Sequence, residues 1–271
     1  MLELISGKYV LEEFKLDNIL PILTVKSAEH EDERLPVIIL VHGLNSSKER
    51  NLAFAMHLAN NGFLVILPDA YNHGDRGSST FLKDLLTNTA NTIVDVIMNT
   101  VEDIIRLIDY VCQEREDADC ERIGMTGISL GGMITFASGM IERRIKVLVP
   151  IIASGDLATV ASESSLINEI YNIHESSKKD VTFPLGFKNI LSQIDPVMNP
   201  SGYFPRPLLM INGEKDTIFP IKAVHKTIQA LKKAYSKNPE LFKYVIVPNV
   251  EHVVTIDMIH TATDFFKKHF E

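Results

Sequence analysis

The chain has 271 residues, 45% of them hydrophobic and 23% charged, enough apolar material to bury a full core without disulfide or metal staples. Its 35 acidic and 27 basic side chains leave a formal charge of -8, which repels phosphate backbones and anionic lipid, so neither nucleic acid nor a membrane surface is an expected partner. No apolar run approaches the roughly 20 residues of a spanning helix, and Met1-Leu2-Glu3-Leu4-Ile5 lacks the basic start and long apolar core of a signal peptide, which points to the cytoplasm.

Taken in chain order, residues 9–14 and 19–25 read as an antiparallel hairpin turning at Asp17-Asn18. Short runs rich in Val, Ile and Leu follow at 37–41, 63–67, 122–126, 147–152, 207–211 and 242–247, with the continuous apolarity of strands covered on both faces. Helical patterns lie between them at 47–61, 89–113, 130–143, 221–237 and 256–270; in the second, Ile97, Val101, Ile104, Ile105, Ile108 and Cys112 share one face. Such alternation builds a single α/β domain over 1–271 with a mostly parallel sheet between helices. One interval breaks the rhythm: residues 156–206, after the sixth strand, predict a small helical, lid-like insertion.

Two cysteines, Cys112 and Cys120, are too few for a disulfide framework and have no metal-ligand spacing, so free thiols are expected and no metal is called for.

The chemistry concentrates at strand ends. Gly127-Ile128-Ser129-Leu130-Gly131 places Gly-x-Ser-x-Gly between an apolar strand and a helix, the setting of a nucleophile elbow. The five-residue pattern alone arises by chance in roughly one such chain in twenty, so its neighbours must decide. A serine hydroxyl needs a base, and His252 stands in a short loop after the last apolar strand. The histidine in turn needs a carboxylate; Asp216 follows the preceding strand, with Glu214 as its rival. The order Ser129, Asp216, His252 is the nucleophile-acid-histidine order of one fold class. The oxyanion calls for two donors: the Leu130 amide opens the helix after the serine, and the Leu44 amide follows His42-Gly43 at the end of an early strand. His42 itself reads as a loop-shaping residue rather than a catalytic one, His73 similarly, and Arg76 as half of a structural ion pair before a substrate clamp.

With these residues in place the chain resembles the α/β-hydrolase superfamily from about Leu35 to the carboxyl terminus. It is most similar to dienelactone-hydrolase-like and prolyl-oligopeptidase-like serine esterases, through His42-Gly43, Asp69-Ala-Tyr-Asn-His73-Gly74-Asp75-Arg76-Gly77, the elbow, Gly213-x-x-Asp216 and Glu251-His252. The resemblance implies an eight-stranded sheet, an acyl-enzyme mechanism and no cofactor. Two departures narrow it: the elbow holds serine where dienelactone hydrolases carry cysteine, and the absence of a propeller or other large gating domain argues against an oligopeptidase.

The expected function is cleavage of carboxylic esters of short or medium acyl chains, with a small-molecule acyl substrate. Phe183 and Phe187 in the insertion are the expected substrate contacts. Thioester or amide hydrolysis and acyl transfer use the same groups, and a non-catalytic ligand-binding protein on this fold is the rival from another class. The oligomeric state stays open, a homodimer among the options.

Overall fold

A computed structural model describes residues 2–6, 8–30, 32–156, 159–160, 189–190 and 193–271. Nine strands form one sheet in the order β1-β2-β3-β5-β4-β6-β7-β8-β9. They are β1 (Leu2–Ser6), β2 (Tyr9–Leu16), β3 (Leu20–Ser27), β4 (Leu35–Val41), β5 (Leu64–Pro68), β6 (Ala118–Ile128), β7 (Ile145–Ile151), β8 (Leu208–Gly213) and β9 (Phe242–Val247). All eight expected strands are present, and β1 adds a ninth by pairing antiparallel to β2. β2, β3 and β5 also pair antiparallel, whereas every neighbouring pair from β5 to β9 is parallel. The hairpin turns as its sequence predicts: Asp17 and Asn18 both take positive φ (52° and 59°), the backbone that matches strand twist.

The helices are α1 (Leu52–Ala59), α2 (Phe81–Thr87), α3 (Thr89–Glu114), α4 (Leu130–Ile141), α5 (Ile221–Ala234) and α6 (Ile256–Phe270). Two-residue alternation along the buried strands sorts them into two cores. Val37, Ile39 and Val41 of β4 join α3, α4 and α5 on one face, while Ile38 and Leu40 join α1 and α6 on the other. Continuous apolarity is therefore required in the inner strands, where neither face meets water; the edge strand β9, expected to be covered on both faces, instead exposes Lys243, Tyr244 and Val245. Room for α6 comes from a missing side chain: a Cβ on Gly124 of β6 would stand 2.7 Å from the Phe266 ring and 2.9 Å from Ile38.

One expectation is corrected. Cys112 and Cys120 are joined in a disulfide, not free. The last turn of α3 and the start of β6 fold back on each other, bringing the two Cα atoms to 5.5 Å, within disulfide reach; a count of cysteines carries no information about that return.

Most of the 156–206 interval, with Phe183 and Phe187, lies outside the described residues. Its described end is docked: the buried Tyr203 hydroxyl lies 3.0 Å from the Phe136 and Ile194 carbonyls, and Arg206 donates to the carbonyls of Gly139, Glu142 and Ile145. No helix among the described residues is long and apolar enough to cross a membrane.

Gly124→Val forces a branched side chain into the contact with Phe266, and the expected cost is about 3 kcal/mol or more of unfolding free energy. Chemical denaturation checks it; a midpoint unchanged from wild type contradicts this account of how α6 seats on the sheet.

Candidate active site

β6 ends at Ile128 and α4 begins at Leu130, so one residue reverses the chain. Ser129 does so at φ 57°, ψ -113°, a region L-residues rarely occupy and one that costs about 1–3 kcal/mol. Hydrogen bonds over-determine it: the Ser129 amide donates to Ile151 O at the end of β7 (3.0 Å), and its carbonyl accepts from Met133 N (3.1 Å). The flanking glycines are compelled by contact. A Cβ on Gly127 would lie 2.2 Å from Gly131 O, and one on Gly131 would lie 2.2 Å from Val41 O at the end of β4.

The loop after β9 brings His252 over this turn. Its Nε2 is 2.9 Å from Ser129 Oγ and its Nδ1 is 2.8 Å from Asp216 Oδ2. With the Nδ1–H donating to the carboxylate, Nε2 keeps its lone pair for the serine hydroxyl. Asp216, buried after β8, is fixed by its other oxygen, which accepts from the amides of Ile218 (2.9 Å) and Phe219 (2.8 Å). Of the two carboxylates, Asp216 is the one bonded to the imidazole, while Glu214 accepts from Asn249 N (3.0 Å) in the loop that carries His252.

Two contacts in this assembly escaped the sequence reading. Phe219 stacks on the His252 ring with centroids 5.7 Å apart and planes 23° apart, so it holds the imidazole's orientation. Gly213 lets the histidine loop rest on β8, because a Cβ there would meet Val250 O at 2.4 Å and Glu251 O at 2.6 Å. An aromatic three residues past the acid was the available sign for Phe219; for Gly213 it was the glycine ending a strand.

Gly43 packs against the elbow, its Cβ position 3.5 Å from Ser129 Cβ and 3.3 Å from Ile128 O. Leu130, the first residue of α4, adjoins Ser129 in the chain, and Leu44 follows the glycine that packs on it. A buried polar layer underlies this loop. His42 Nδ1–H donates to Gly43 O (2.8 Å), and Nε2 accepts from Ala70 N (3.0 Å), which fixes the neutral ring. Asp69, fully buried, accepts from the Lys48 amide (2.9 Å) and the Asp75 amide (3.0 Å). The buried Lys48 ammonium reaches Asp69 (3.4 Å), Asp75 (2.6 Å), Glu49 (2.5 Å) and Glu13 (3.2 Å); these carboxylates hold it protonated, its pKa raised against the opposing effect of burial. Among the described residues, the acidic trio close enough to share a cation, Glu13, Glu49 and Asp75, thus already surrounds an ammonium.

His73 and Arg76 take structural places. His73 Nδ1 donates to Tyr71 O (2.8 Å), and burial lowers its pKa. Arg76 donates to Ala70 O (3.2 Å) and pairs with Asp103, so its guanidinium is committed to the turn.

Burial depresses the His42 pKa from 6.5 to about 4. The folded chain thus refuses a proton that the unfolded chain accepts below about pH 6.5. The His42 contribution is complete above that pH and falls away toward pH 4, by up to about 3 kcal/mol. Denaturation of wild type and His42→Gln between pH 7 and 4 reads this as a shallower pH slope in the variant; parallel slopes contradict it.

Comparison with known proteins places the assembly. The family model described as the prolyl oligopeptidase family matches residues 51–271. The YitV protein of Bacillus subtilis strain 168 is 28% identical over 92% of this chain and 94% of its own length. Esterase YjfP of Escherichia coli K12 is 24% identical over 92% of this chain and 95% of its own. Among solved structures, TT1662 from Thermus thermophilus superposes with a TM-score of 0.73 at 21% identity, covering 96% of this chain and 98% of that one. The Pyrococcus horikoshii acylaminoacyl peptidase gives 0.65 at 19% identity, with 97% of this chain matching 41% of that longer one. The strand order, the elbow and the match over residues 51–271 agree: this chain is an α/β-hydrolase-fold hydrolase and belongs to the prolyl oligopeptidase family.

Proposed function

We infer that the protein hydrolyses carboxylic esters of short or medium acyl chains through an acyl-enzyme on Ser129. The observation that carries this reading is the unbroken chain Ser129 Oγ, His252, Asp216 with links of 2.9 and 2.8 Å. His252 Nε2 takes the hydroxyl proton as Oγ attacks the acyl carbonyl, and the Asp216 carboxylate stabilises the imidazolium that forms. The Leu44 and Leu130 amides receive the oxyanion. Collapse expels the alcohol, which leaves with the proton from His252. Water, deprotonated by the same Nε2, then attacks the acyl-serine and releases the acid, returning Ser129 to its hydroxyl form.

Ester rather than amide cleavage is favoured by the similarity to the esterase from Escherichia coli over nearly both chains. A purely ligand-binding role leaves the strained serine and its hydrogen-bonded base without purpose, since the strain is held only to present the hydroxyl.

Purified protein is expected to turn over p-nitrophenyl acetate and butyrate and to be labelled by a fluorophosphonate at Ser129. Ser129→Ala lowers kcat by about 10^4-fold or more. Undiminished turnover in that variant refutes the mechanism, and a chain that binds esters but resists labelling is a receptor. The acid is tested separately: Asp216→Asn lowers kcat by about 10^4-fold through the wrong histidine tautomer, whereas Glu214→Gln leaves kcat nearly unchanged. A reversal of these two results moves the acid to Glu214.

A further inference from the structure

Basic residues are not spread evenly along this acidic chain. From Lys215 to Lys243 there are seven lysines, and the acids among them are Asp216, which holds His252, and Glu240. α5 carries four of these lysines and His225, without Asp or Glu. Lys226 is paired with Asp156, but Lys232, Lys233, Lys237 and Lys243 stand exposed between the end of α5 and the start of β9. The dipole of α5 accounts for Lys232 and Lys233 in its last turn. Lys237 and Lys243 lie beyond the helix, where the dipole gives no reason for them, and the Glu240 carboxylate is bonded to Asn238 (3.2 Å).

β9 ends the sheet, and its one strand neighbour among the described residues is β8. Its outer edge therefore presents main-chain N–H and C=O groups that no described strand pairs, a template onto which an extended chain can add. No proline or register shift interrupts Phe242–Val247. Tyr244 and Val245, both strand-forming residues, are exposed there. Beside the edge lies a hollow of about 370 Å3, lined by Lys232, Tyr235, Pro239, Phe242, Lys243 and Tyr244. The buried rings of Tyr235 and Phe242 give it aromatic surface, their centroids 5.6 Å apart, while exposed Lys232 and Lys243 give it charge. Lys232 Nζ donates to the Tyr244 hydroxyl (2.9 Å), which holds both at the mouth of the hollow.

An open edge for main-chain pairing, a hollow for a side chain and a set of lysines thus meet at one place. Strand addition uses these parts: the ladder supplies affinity, and pockets for alternate side chains supply specificity. The charge selects the occupant. A second copy pairing through the same edge brings the lysines of both copies to one seam, where like charges repel; lysine on an edge strand is itself a guard against such pairing. Nucleic acid or anionic lipid answers the charge but has no N–H and C=O ladder to offer the edge. We propose that β9 is a docking edge for another protein, which adds an extended acidic segment as a further strand and places an apolar side chain in the hollow. Acids on that segment face Lys232 and Lys243, so attraction replaces the repulsion that keeps copies of this chain apart.

The full chain is tested on an array of hexapeptides with Glu at alternate positions and Val, Leu, Phe or Tyr between, beside matching arrays with Gln or Lys in place of Glu. The Glu array is expected to bind and the Lys array to stay blank. With the tightest Glu peptide in solution, hydrogen exchange slows at the amides of residues 242–247, and methylating alternate peptide nitrogens abolishes binding. The double variant Lys232→Glu, Lys243→Glu weakens that peptide by about tenfold or more, the loss of a charge-assisted hydrogen bond, and binds the Lys array instead. That gain also shows the variant to be folded. A blank Glu array, equal binding to the Gln array, or binding that leaves residues 242–247 unprotected overturns the proposal. So does a concentration-dependent dimer that protects these amides without peptide. Tighter binding of a DNA duplex or of phosphatidylglycerol vesicles, lost in the same double variant, likewise overturns it.

Discussion

At Gly131 the helix that follows the serine comes so close to the end of β4 that a single methyl group would sit 2.2 Å from the Val41 carbonyl. This contact clamps the turn at Ser129, because α4 cannot approach β4 so closely unless β6 reverses into it through one residue. The positive φ of Ser129 is the consequence, and its hydroxyl projects beyond the sheet instead of lying within it. Everything else in the site is arranged around that fixed point. β8 and β9 send Asp216 and His252 from the far side, and β4 sends Gly43 from the near side.

Beneath this point the protein keeps two kinds of interior. The cores on both faces of the sheet are almost wholly aliphatic and aromatic. The layer behind the loop after β4 is instead polar and buried, made of His42, Asp69 and Lys48. A neutral imidazole suits this place because it donates on one side and accepts on the other, joining the Gly43 carbonyl to the Ala70 amide with neither group left unsatisfied. The buried ammonium of Lys48 requires carboxylates, and four of them come from β2, the turn after Ser47, the end of β5 and the turn at Asp75. Burying charge is a poor source of stability. What it achieves here is to fix where separate loops stand relative to one another.

Much of this was legible in the chain. The buried strands announced themselves because both faces are covered, and their continuous Val, Ile and Leu runs have no other explanation in a chain of this charge. Ser129, Asp216 and His252 were readable because each directly follows a strand, where direction and distance are set by the sheet. What escaped was whatever depends on contact between segments remote in sequence. The stacking of Phe219 on His252 and the seat that Gly213 gives the histidine loop belong to this class. So does the disulfide, which follows from the return of α3 onto β6 and not from the number of cysteines. The ninth strand has the same origin, since Leu2–Ser6 is a strand only by virtue of the β2 edge it pairs with.

The pairing of β7 with β8 carries a consequence for how such a protein diversifies. The chain leaves the sheet at Ile151 and returns at Leu208, and the two strands are stitched together by their own ladder, with Ile151 opposite Ile211 and the Ile152 amide bonded to Ile211 O. None of the three residues of the hydrogen-bonded chain comes from the stretch between these strands. Lengthening a connection whose ends are already held together costs little, about 0.6 kcal/mol for each doubling. The interval can thus take segments of different length while the ladder between β7 and β8, and the hydrogen-bonded chain beside it, stay as they are.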